Sequence, residues 1–179
     1  YGEKNLLEIC GEKLIEILLK ENFKVLLRPH YRILNDSKKL INSIKEKFGK
    51  NKNFIFEESV IPSESFHNSK CLISDWSGIS FEYAFVFEKP IIFIDVPKKI
   101  LNTEFDRISS EPIEIAIREK IGKIVSPDNL SEIPDLIKKI DIDSNLINNE
   151  IKEIRSKTVF NINKSASVGA EYIKKILDN

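Results

Sequence analysis

Hydrophobic and polar positions along this chain switch repeatedly between a helical period and short unbroken apolar runs, and the switching predicts helices and strands in turn. Leu6, Leu7, Cys10, Leu14, Ile17 and Leu18 recur at helical spacing, after which Phe23–Leu27 reads as a strand running into Arg28-Pro29-His30. Leu40, Ile41, Ile44 and Phe48 mark a second helix capped by Asp36-Ser37, and Asn53–Phe56 a second strand. Ile61–His67 reads as a short helix or loop. A strand over 70–74, a helix over 77–87 and a strand over 90–94 follow, then a short helix over Pro112–Glu119, a last strand at Gly122–Val125 and a helix over Leu130–Ile140. Beyond Asp143 the pattern is helical throughout, with Ile147, Ile151, Ile154 and Val159 in one segment and Ala166, Ala170, Ile173, Ile176 and Leu177 in another. Strands separated by helices predict an α/β fold, a Rossmann-like parallel sheet with helices on both faces. Residues 1–140 form that domain. Residues 141–179 are carboxyl-terminal helices that pack on it or on a missing amino-terminal domain.

Composition narrows the class without naming a chemistry. The 179 residues are 41% hydrophobic and 31% charged, as expected of a globular domain with a sizeable core. Lys plus Arg and Asp plus Glu both number 28, so no overall basic field attracts nucleic acid. Cys10 and Cys71 show neither metal-ligand spacing nor a disulfide framework, which suits a reducing compartment and buried thiols. No apolar run reaches the roughly 20 residues a membrane span needs. The absence of methionine and the start at Tyr1 point to a piece of a longer protein.

The candidate chemistry lies where strands end. Leu72-Ile73 runs into Ser74-Asp75-Trp76-Ser77-Gly78 before a helix begins, and a helix start offers unpaired N–H groups and partial positive charge to an anion. Gly78 lets a ligand approach the backbone, while Ser77 and Ser80 add hydroxyl donors. Glu82, one turn on, would repel phosphate but accept from ribose hydroxyls. Asp75 or Ser77 serving as an ordinary N-cap explains the same residues without a ligand. A second cluster, Arg28, His30, Tyr31 and Arg32, follows the first strand, and ligands of parallel sheets sit beyond the carboxyl ends of strands. His67 reads as a surface residue. Asp95 and Asp106 lack partners at ligand spacing, so no metal site is assigned.

Taken together, Arg28-Pro-His30, Leu72-Ile-Ser-Asp-Trp-Ser-Gly78 with Phe81-Glu-Tyr83, and Lys89-Pro-Ile-Ile-Phe93 resemble the carboxyl-terminal domain of the CDP-glycerol glycerophosphotransferases that polymerise teichoic acid. Related capsule polymerases and the GT-B glycosyltransferases share that outline. The Asp75–Glu82 run is also similar to the phosphate-binding turn of UDP-N-acetylglucosamine 2-epimerases. The resemblance covers residues 1–140 by order of elements and is sharp in the two motifs. It implies the donor-binding half of a transferase that moves glycerol phosphate or a sugar from a nucleotide-diphosphate donor to a cell-surface polymer. Carried across, it puts His30, the catalytic candidate, near the pyrophosphate, Ser77 and Gly78 on phosphate oxygens and Glu82 toward ribose, with Arg28, Asp75 and Ser80 in the same donor site. It implies no cofactor beyond the activated donor, CDP-glycerol or a sugar nucleotide. An acceptor polymer or lipid-linked primer would be held by the missing amino-terminal domain, in a cytoplasmic enzyme peripheral to the inner face of the cell membrane. A UDP-sugar 2-epimerase relative and a nucleotide-binding or interaction domain without turnover are the alternatives. The chain departs from the transferases in carrying Trp76-Ser-Gly78 and Glu82 where they carry Tyr-Ser-Ser and an aspartate, and it lacks an Arg-Gly-aromatic segment after Asp95.

Overall fold

The structure is a computed structural model that describes residues 4–58, 64–98, 107 and 111–178. A π-helical turn at Leu7–Gly11 leads into α1 (Glu12–Lys20), then β1 (Val25–Leu27), α2 (Tyr31–Asp36), α3 (Lys38–Phe48), β2 (Phe54–Phe56), α4 (Glu64–Asn68) and β3 (Leu72–Ser74). Next come α5 (Ile79–Phe87), β4 (Ile91–Ile94), α6 (Ile113–Ala116), α7 (Arg118–Ile121), β5 (Gly122–Val125), a 3-10 turn at Pro127–Glu132, α8 (Ile133–Ile142), α9 (Ser144–Thr158) and α10 (Ser165–Leu177). The helix expected over 130–140 is thus two elements, each opened by a proline, Pro127 and Pro134, where the missing N–H costs nothing. Tyr31–Asp36, which the hydrophobic spacing does not predict as a helix, is a single helical stretch that begins as soon as Pro29 and its N-cap His30 are passed. Of the Ile61–His67 reading, residues 61–63 lie outside the described residues.

Among the described residues every ladder is parallel: Val25 faces Phe54, Leu72 faces Ile91, and Ile91 faces Gly122. The parallel α/β class is what the structure shows, but the ladder is not continuous. It forms a two-stranded sheet, β1-β2, and a three-stranded sheet in the order β3-β4-β5. Between β1 and β3 lies an apolar groove of about 630 Å³.

Burial explains why the elements hold. Ile91, Ile92, Phe93 and Ile94 are all buried, as expected of a central strand covered on both faces, and each fully buried side chain of this size contributes about 1.5–3 kcal/mol. On one face α1 and α8 pack over β4 and β5 through Leu14, Leu18, Ile133 and Ile137. On the other, Tyr83 and Ala84 of α5 meet Ile121 of α7 and Ile151 of α9. A third cluster joins α1 to α3 and β2 through Ile15, Ile44 and Phe54. Helix α9 is locked further by Glu88, which takes ion pairs from Lys152 at 3.2 Å and Arg155 at 2.9 Å. By contrast α10 has no buried residue. Among the described residues no helix is long and apolar enough to cross a membrane.

Candidate functional site

The turn from β3 into α5 is shaped by which residues of the helix face inward. Ser80, Tyr83 and Ala84 recur at i, i+3 and i+4 and are each 0% exposed, so this stripe sets the rotation of the helix. Gly78 and Glu82 are consequently turned to solvent, one above the other. Ser80 therefore does not face solvent with them: its Oγ is buried and has no hydrogen-bond partner among the described residues, so the expectation of a phosphate-facing hydroxyl there is corrected by the helix phase.

Gly78 is the N-cap of α5 with φ −58° and ψ −27°, values open to any residue. A Cβ built on it meets nothing within 4 Å among the described residues. Neither backbone strain nor packing requires a glycine at this position. The first-turn bonds run from Ser80 N–H to Ser77 O and from Phe81 N–H to Gly78 O, both 3.1 Å, while Gly78 and Ile79 N–H make no backbone hydrogen bond among the described residues. Among the described residues no side chain caps the helix either. The result is a bare helix start with its dipole facing solvent.

Asp75 is occupied elsewhere. Its Oδ2 accepts from Leu6 N–H at 3.0 Å and so caps the amino-terminal helix across 69 positions of sequence. Trp76 braces the turn by donating Nε1–H to Val96 O at 2.9 Å. Against its ring, 3.7 Å from the centroid, stacks the guanidinium of Arg118, which also lies 4.8 Å from the Phe93 ring and 3.5 Å from Asp95 Oδ1. Arg118 is 3% exposed, and its Nε and Nη2 have no hydrogen-bond partner among the described residues. Burial lowers its pKa from the ordinary guanidinium value, with Asp95 opposing. The sequence reading missed this residue because the pairing is purely tertiary. The enclosed space bordered by Asp75, Trp76, Ser77 and Arg118 is about 20 Å³, room for one water, so a larger ligand would lie on the open rim.

The second cluster is partly tied down. Arg28 stacks over Phe66 at 4.5 Å, and its Nη1 lies 3.7 Å from Glu57 Oε2, so it braces the ends of β1 and β2. Pro29 keeps the chain extended, and His30 becomes the N-cap of α2. Its Nδ1 accepts from Arg32 N–H at 3.2 Å, which leaves Nε2 as the nitrogen that carries the proton in the neutral ring. Tyr31 lies against the imidazole at 4.4 Å.

Contacts place both clusters at one end of the molecule. The amino-terminal helix begins beside Asp75, beyond the carboxyl end of β3, and leads to β1, which runs into Arg28. Ser37, just after α2, donates to Glu8 at 2.9 Å beside the same helix start. His30 thus follows the carboxyl end of β1, and Ser77, Gly78 and Glu82 follow that of β3, the strand ends at which parallel sheets hold ligands. His67 packs edge-on against Phe87 at 4.8 Å. Among the described residues no three His, Cys, Asp or Glu side chains gather as metal ligands, and Asp106 lies outside the described residues.

A family model described as CDP-Glycerol:Poly(glycerophosphate) glycerophosphotransferase matches residues 3–101. No curated protein matches the chain. The solved structure titled "Crystal Structure of TarM" is similar at 16% identity with a TM-score of 0.48, over 94% of this chain and 31% of that one. The chain thus spans less than a third of that protein's length.

Proposed function

The chain belongs to the CDP-glycerol:poly(glycerophosphate) glycerophosphotransferase family, and we propose that its strand-end rim holds the nucleotide-diphosphate donor, CDP-glycerol, of a glycerophosphate transfer. The observation that carries this reading is the uncapped start of α5, where Gly78 is required by neither backbone nor packing yet leaves the N–H groups open to a phosphate. In this reading the pyrophosphate accepts from Gly78 and Ile79 N–H and from Ser77 Oγ. Glu82, on the same face, accepts from the ribose hydroxyls.

The acceptor hydroxyl oxygen attacks the β-phosphorus, the bond from that phosphorus to the bridging oxygen breaks, and CMP leaves with the bond's electron pair. The charge gathering on CMP is met by the helix start, worth about 0.3–2 kcal/mol by its dipole, and by His30 Nε2–H, which donates a hydrogen bond. The acceptor's proton goes to a base outside this chain, as does the binding of the polymer. A sugar nucleotide would be attacked at its anomeric carbon instead. Arg28 and Arg118 act by positioning: one fixes the strand that carries His30, and the other stacks beneath the Trp76 turn.

Calorimetric titration with CDP-glycerol, CDP, CMP and a UDP-sugar tests the seat of the phosphates. CDP-glycerol and CDP are expected to bind alike, and CMP about 10-fold more weakly for want of the second phosphate. CMP and CDP binding equally would remove the helix start from the site. Preference for the UDP-sugar would move the donor to the sugar nucleotides.

A further inference from the structure

The groove between the two sheets has the form of a vacant strand position. In a parallel ladder alternate residues direct their N–H and C=O to one neighbour. Val25 N–H donates to Asn53 O at 2.8 Å and Glu57 N–H to Leu27 O at 2.9 Å, so Val25 and Leu27 face β2, and Leu26 directs its backbone groups into the groove. Leu72 N–H likewise donates to Pro90 O at 3.4 Å toward β4, which turns the backbone of Ile73 into the groove from the other side. No ladder joins β1 to β3 among the described residues. Helix α1 covers the groove with Leu14 and Leu18, and α4 borders it with Phe66. The helices are in place and the layer between them is open. Leu26 is left 37% exposed, whereas β4, with strands on both sides, is buried throughout.

Topology fixes what fits. The amino-terminal helix starts at the rim beside Asp75, runs antiparallel to β1 and feeds it, so it lies where a crossover helix lies. A strand in the groove, parallel to β1 and β3 and ending at that rim, would connect to this helix through a short turn and form the right-handed unit that parallel sheets favour. We infer that the groove seats one such strand, an extended apolar segment of about five residues leading into the amino-terminal helix, which joins both sheets into one. The inference rests on backbone pairing and apolar lining and uses nothing of the donor reading.

The test compares residues 1–179 with the same chain carrying a designed amino-terminal Val/Ile strand of about five residues and a turn of about four. A third chain carries a Gly/Ser extension of equal length. Hydrogen exchange at the Leu26 and Ile73 amides is expected to slow at least ~10-fold with the apolar strand alone, and the urea midpoint to rise. Leu26→Pro, which removes a groove-facing donor but spares the β2 ladder, is expected to reverse the slowing at Ile73. Equal exchange in all three chains would overturn the inference. So would protection of both amides in unextended residues 1–179 sedimenting as a dimer, because a second copy would then fill the groove.

Discussion

The two sheets start from similar apolar segments and reach different states. In the three-stranded sheet β4 is buried at every position, and β5 comes so near that a Cβ on Gly122 would sit 2.0 Å from Ile91 O. In the two-stranded sheet Leu26 and Ile55 each remain 37% exposed. The side chains are alike in kind, so the difference comes from neighbours: β4 has a ladder on each side, whereas β1 has one ladder and one groove. The candidate site draws on both. Its helix start follows β3 of the three-stranded sheet, and His30 follows β1, which borders the groove.

The sharpest way to break the comparison is at Gly122. Its φ of −173° is extended backbone that any residue adopts, so only the contact with Ile91 demands glycine. Gly122→Val is expected to cost about 3 kcal/mol or to prevent folding, read from urea unfolding. Next in size is a matched pair of truncations. Ile92→Ala in β4 is expected to cost about 2–5 kcal/mol, but Leu26→Ala in β1 about 1 kcal/mol or less. Equal losses would show that the two sheets are equally packed and would remove the groove from the account.

Smaller still, and opposite in sign, is Gly78→Ala. With helical dihedrals and empty space around the new methyl, it is expected to stabilise the fold by about 0.4–1 kcal/mol by restricting the unfolded chain. Gly122, which packing demands, and Gly78, which it does not, are thereby told apart. The smallest effect concerns the thiols. Burial pushes the Cys10 thiol pKa up, whereas Cys71 is only half-buried and lines the groove, so Cys71 is expected to react first with a thiol reagent in the native state. Cys10 reacting as fast would mean that the cluster beneath α1 opens readily.

Much of this was legible in the chain because local patterns set it. The unbroken apolar run Ile91–Ile94 after Pro90 gives a doubly covered strand, and the polar turn Asp75–Gly78 after an apolar strand end marks the rim. What was not legible depends on contacts between distant segments. Asp75 could not be seen to cap the amino-terminal helix, nor Arg118 to stack on Trp76, from any spacing in sequence. Ser80 was misplaced because the rotation of α5 is decided by the burial of Tyr83 and Ala84, and the motif alone does not reveal that phase. The division of the sheet was also hidden, since an apolar run shows that a strand forms but not which edges find a partner.

The central claim is that the open helix start at Gly78 seats the donor's phosphates. Titrating CDP-glycerol into the wild-type chain and into Gly78→Ala, with thermal unfolding followed on the same samples, tests it most directly. The account expects the wild type to bind and Gly78→Ala to bind at least ~10-fold more weakly while melting at the same or a higher temperature. Equal affinity in the two chains, or no binding by the wild type at millimolar donor, would contradict it.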